Sequence, residues 1–139
     1  MGTILFATDG SEYARQAARE AIDLAEDRGA TLHVVCVVDQ RRFDDPALSS
    51  AELATIYAED HATLSVREVT GMADERDVRV EGVTRHGIPH EVIVDYADEI
   101  EADVIVVGEH GDHAEHFSGV GRRVVEESAR DVRVVKAEG

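Results

Sequence analysis

Apolar positions along the chain follow two alternating rhythms: short unbroken runs, and longer stretches with an apolar residue at every third or fourth position. Residues 3–7, Thr31 to Val38 and Val104 to Val107 are nearly continuous apolar runs, the pattern of strands covered on both faces of a sheet. Val78 to Thr84 alternates in part and Val132 to Lys136 is short, and both also read as strands. Between the runs the period lengthens. Ala14, Ala17, Ala18, Ala21, Ile22 and Ala25 recur at helical spacing, and Arg28-Gly29 supplies a stop. A second helix starts at Ser49 or Ser50, with Leu53, Ile56, Tyr57, Leu64 and Met72 as core-facing positions and Gly71 weakening its last turns. Pro89 suits the first position of a third helix carrying Val92, Ile93, Tyr96, Ala97 and Ile100. A short fourth helix runs through Val120, Val124, Val125 and Ser128.

Strands alternating with helices predict an α/β fold: a single doubly wound five-stranded parallel sheet with helices on both faces and right-handed crossovers. A chain of 139 residues suits one domain spanning 1–139. In such sheets ligands sit beyond the carboxyl ends of the strands, where the winding reverses. With strand order 3-2-1-4-5, the loops after the first and fourth strands meet there, which brings Asp9 close to Gly108 and Gly111.

Charge narrows the partners. Thirty acidic residues face fourteen basic ones, a formal charge of −16, and Lys136 is the sole lysine. Such a surface repels nucleic acid and acidic membranes, whose phosphates demand clustered cations. Self-repulsion on this scale weakens a small fold at low salt, yet at about 1 M salt the screening length falls to about 3 Å. The composition is therefore that expected of a halophile's protein. No apolar run approaches the ~20 residues of a membrane span, and neither terminus carries a signal-peptide pattern, so a cytoplasmic location is expected. Cys36, within an apolar run, reads as a small buried hydrophobe.

The polar stretch after the fourth strand is punctuated by Gly108, Gly111, Gly119 and Gly121, ahead of the fourth helix. Glycines let backbone N–H groups approach a phosphate, and a helix N-terminus adds free donors and positive partial charge. Tight turns without a ligand are the other use of such glycines.

Ile4-Leu5-Phe6-Ala7-Thr8-Asp9-Gly10-Ser11, Leu32-His33-Val34-Val35 with Val37-Val38-Asp39, Gly87-Ile88-Pro89, and Ala102-Asp103-Val104-Ile105-Val106-Val107-Gly108-Glu109-His110-Gly111 carry a resemblance to the universal stress protein family. It extends essentially end to end. The resemblance implies an adenine nucleotide alpha hydrolase-like fold and a homodimer made by pairing the last strands, here through Val132 to Lys136. Many members bind ATP through an acid after the first strand, backbone groups at the end of the second, and two glycines two residues apart followed nine residues on by a third, then Ser or Thr. Matched by position, these are Asp9, Val38, Gly108, Gly111 and Gly121, with Ala7 where the family frequently has proline. Arg122 follows Gly121 in place of the hydroxyl residue; aligned from the last helix instead, Ser118-Gly119 stand in reversed order. A shortened loop points to AMP, or an anion alone, beside ATP.

His110, His113 and His116 interleave with Glu109, Asp112 and Glu115, a ligand set suited to zinc, nickel or copper, though a solvated acidic loop is the commoner meaning. Arg122 and Arg123 offer a phosphate partner, or pair on the surface with Glu126 or Glu127. His33 reads as a core or interface histidine, and His86 and His90 flank the end of the third strand. No nucleophile elbow or Walker loop occurs, and no catalytic residue can be named. Three readings follow: a nucleotide-binding stress-response homodimer with an unidentified protein partner, a protein-interaction module that does not bind ATP, and a metal-dependent hydrolase on the histidine loop.

Overall fold

The computed structural model describes residues 2–9, 12–38, 48–110 and 120–137. Five parallel strands, β1 (Thr3–Thr8), β2 (Thr31–Val38), β3 (Val80–His86), β4 (Val104–His110) and β5 (Asp131–Ala137), form one sheet in the order β3-β2-β1-β4-β5. Helices α1 (Glu12–Arg28), α2 (Leu48–Glu75), α3 (Pro89–Glu99) and α4 (Val120–Glu127) connect them. The central strands are mostly apolar because both faces are covered. Ile4, Phe6, Leu32, Val34, Cys36, Val104 and Val106 point to α1 and α2, while Leu5, Ala7, Val35, Ile105 and Val107 point to α3 and α4.

Three helices end in the same way. Ala30 N–H reaches the Ala25 carbonyl and Gly29 N–H that of Glu26; Val78 and Asp77 do likewise to Ala73 and Asp74, and Ala102 and Glu101 to Ala97 and Asp98. This is the Schellman closure, which needs a left-handed residue just past the helix. Gly29 supplies it at φ 61°, but Asp77 (57°) and Glu101 (53°) are not glycines. The closure after α2 also corrects the expected start of the third strand. Val78 is buried as part of that turn, so β3 begins at Val80 and runs on to His86.

Leu64 is not a core position: it is 63% exposed. The buried face of α2 is Ala62, Val66, Val69 and Ala73, and a residue two steps from Ala62 is rotated roughly 200° away from it. Met72 packs partly against this core. The helix passes through Gly71 without interruption. The side chains of Leu53, Ile56 and Tyr57 lie outside the described residues.

Candidate nucleotide site

The winding reverses between β1 and β4. β1 is followed by α1 and its neighbour β2, whereas β4 lies on its other side and is reached through α3 on the opposite face. Ala7 pairs with Val107 in register, so Thr8 ends β1 and Asp9 follows it at the same end of the sheet at which Gly108 continues β4. Ala7 is fully buried and Thr8 nearly so, while Asp9 is half-buried at the rim. The negative field of Asp9 reaches the neighbouring strand. Burial first, and the Asp9 charge second, push the Cys36 thiol up to about 12.

Val38, at the end of β2, is also buried. Its carbonyl accepts the Gly87 amide at 3.0 Å, which leaves one lone pair for any base-reading contact. Gly108 is buried on β4 and Gly121 is the second residue of α4. Gly111, His113, His116, Ser118 and Gly119 lie outside the described residues, as does the side chain of His110. Among the described residues, no cluster of three or more His, Cys, Asp or Glu could hold a metal. Arg122 and Arg123 are exposed, and Glu127 is engaged by His90 Nδ1 at 3.1 Å.

The histidines divide by function in the fold. His33 Nδ1 lies 3.3 Å from the Tyr96 hydroxyl and its Nε2 lies 3.7 Å from Glu81, which ties β2 and β3 to α3. His86 Nε2 lies 3.3 Å from Glu59 of α2. His61 has a role that the sequence does not mark: its Nε2 lies 3.3 Å from the Asp9 carbonyl oxygen. The contact joins residues 52 apart in sequence, and no local pattern around His61 marks it.

A sequence model of the universal stress protein family matches residues 1–136. The chain belongs to the universal stress protein family. Universal stress protein MJ0531 of Methanocaldococcus jannaschii is 31% identical over 137 residues, covering 96% of this chain and 81% of the relative. The solved structure of the hypothetical protein MJ0577 has a TM-score of 0.82 at 25% identity, covering 99% of this chain and 97% of that one. A universal stress protein solved in complex with cAMP is similar at a TM-score of 0.71 and 26% identity, with 97% and 96% covered. The five-stranded fold of this universal stress protein is thus that of its family. Among the described residues, no helix is long and apolar enough to cross a membrane.

Proposed function

We propose that this universal stress protein binds an adenine nucleotide beyond the carboxyl ends of β1 and β4, and that the nucleotide state governs how it meets a protein partner. The observation that carries this reading is that half-buried Asp9 follows β1 at the reversal of winding, next to the strand that carries Gly108. Asp9 accepts a hydrogen bond from the ribose or base, and the Val38 backbone meets the base. Gly108 and Gly111, with Ser118 and Gly119 ahead of α4 in the sequence and Gly121 within it, receive the phosphate. Arg122 supplies a cation where many members have a hydroxyl.

A monophosphate such as AMP fits this reading better than ATP, because the loop is short and a similar protein holds cAMP. The proposal includes a cytoplasmic homodimer paired along Val132 to Lys136 of β5. It also includes adaptation to molar salt, in which the thermal midpoint rises as salt screens the charge of −16. Isothermal titration of nucleotide-stripped protein with AMP and ATP in molar salt tests the site. Micromolar AMP binding that weakens at least tenfold in Asp9→Ala supports it; unchanged affinity in that variant refutes the assignment of Asp9. Arg122 in place of the hydroxyl residue favours a second reading, an interaction module without nucleotide, and absence of heat with either ligand would establish it.

A further inference from the structure

β3 is one of the two edges of the sheet, and its outer side has the features of a self-pairing surface. Leu32 N–H donates to the Arg79 carbonyl and Gly87 N–H to that of Val38, so the backbone groups of residues 79, 81, 83, 85 and 87 turn toward β2. By alternation those of Val80, Gly82, Thr84 and His86 turn outward. The strand pairs with β2 over seven consecutive residues without a bulge. It contains no proline or lysine, the usual protections of an open edge.

We propose that this edge takes the same edge of a second copy of the chain, antiparallel and centred on Val83. The backbone parity fits a two-fold axis there. Val83 would face its own counterpart as a non-hydrogen-bonded pair, and Gly82 would face Thr84 as a hydrogen-bonded pair, the alternation an antiparallel ladder requires. The same axis sets Glu81 opposite Arg85 twice. Both lie on the α3 face, where Glu81 stands near His33 and Arg85 packs over the Tyr96 ring and pairs with Glu99. Opposite charges directly across a ladder stabilise it, and a register shift of one residue would separate them.

The α2 face is complementary in shape. Gly82 lacks a side chain, and a Cβ there would run into Val66. Beside it a groove of about 390 Å³ is lined by Thr63, Val66, Arg67 and Thr70 of α2 and by Thr84. With Gly82 opposite Thr84 across the axis, each copy sets its Thr84 side chain against the other's groove. The charge of −16 on each copy opposes the contact at low salt and is screened at molar salt. This surface is separate from β5 and stands whether or not β5 also pairs.

Two measurements test it. In a Cys36→Ala background under oxidising conditions and molar salt, Val83→Cys should give a disulfide-linked dimer, since non-hydrogen-bonded pairs bring Cα atoms to about 4.5 Å. Glu81→Cys should cross-link at least tenfold less, because its own counterpart lies roughly four residues, or ~13 Å, along the ladder. Equal yields at the two positions, or none at 83, would overturn the proposal. Sedimentation velocity supplies the second test. Glu81→Arg and Arg85→Glu should each weaken self-association at least tenfold, and the double exchange should restore it; a double variant no better than either single one would also overturn it.

Discussion

The two faces of the sheet are packed by different means. On one, α1 meets the strands through Ala14, Ala17, Ala18, Ala21 and Ala25, and α2 through Ala62 and Ala73. Methyl groups let the helices lie close, and the space between strand and helix is filled from the sheet side by Ile4, Phe6 and Leu32. Ion pairs stay at the rim, where Arg15 meets Glu68 at 2.6 Å and Arg76 meets both Asp23 and Glu26 at 2.7 Å. On the other face polar groups reach inward. The hydroxyl of nearly buried Tyr96 lies 3.3 Å from His33, and Arg85 lies 4.7 Å from the centre of the Tyr96 ring. The first face depends on shape, and the second also depends on hydrogen bonds and charge.

Large truncations test that contrast most strongly. Phe6→Ala on the alanine-lined face should cost about 3–5 kcal/mol of unfolding free energy, and Ile93→Ala on the opposite face about 2–5 kcal/mol. Denaturant midpoints in molar salt measure both. A smaller loss at Phe6 than at Ile93 would mean that the close face collapses around the void more readily than its packing implies. Added volume discriminates further. Ala18 is fully buried, so Ala18→Leu should cost about 1–3 kcal/mol by overpacking. Val94→Leu, at the partly buried margin of α3, should change stability by no more than ~0.5 kcal/mol.

These differences bear on what the sequence could disclose. Strand order and the division into two layers were legible, because apolar runs, helical spacing and short connections leave few arrangements for a parallel sheet. That Asp9 and Gly108 lie at the same end of the sheet, on adjacent strands, follows from that order. Less was legible where a residue's role depends on the rotation of a long helix. Leu64 satisfies a hydrophobic pattern yet faces outward, since the phase of α2 is set by Ala62, Val66, Val69 and Ala73. His61 reaches the Asp9 carbonyl from α2, a helix that packs chiefly on β2 and β3. β3 starts later than its apolar pattern implies for a local reason: an acidic residue, Asp77, takes the left-handed position that sequence patterns assign to glycine.

Cys36 offers a test of how strongly the alanine-lined face excludes water. Its thiol titrates near 12 in the folded chain against about 9 when unfolded, chiefly through burial. The folded state therefore holds the proton longer. The resulting stability is fully present below pH 9 and is lost as pH rises from 9 toward 12. At about pH 10 the loss should be on the order of 1 kcal/mol. Comparing thermal midpoints of the parent and Cys36→Ala between pH 8 and 10.5 isolates it: the parent should fall more steeply, and parallel curves would show that the thiol is not desolvated.

The helix closures give the smallest effect and the cleanest comparison between faces, because they share one backbone geometry. Gly29 closes α1 at φ 61° and Glu101 closes α3 at φ 53°. No atom lies within 4 Å of a Cβ built on Gly29, so Gly29→Ala should cost about 1 kcal/mol through backbone conformation alone. Glu101 already bears that strain and is exposed; Glu101→Gly should raise stability by roughly 0.5–1 kcal/mol despite the greater freedom of glycine in the unfolded chain. Paired denaturant titrations measure both changes. If Glu101→Gly is neutral while Gly29→Ala is costly, contacts of the Glu101 side chain offset its backbone strain, and the polar character of the α3 face extends to the end of that helix.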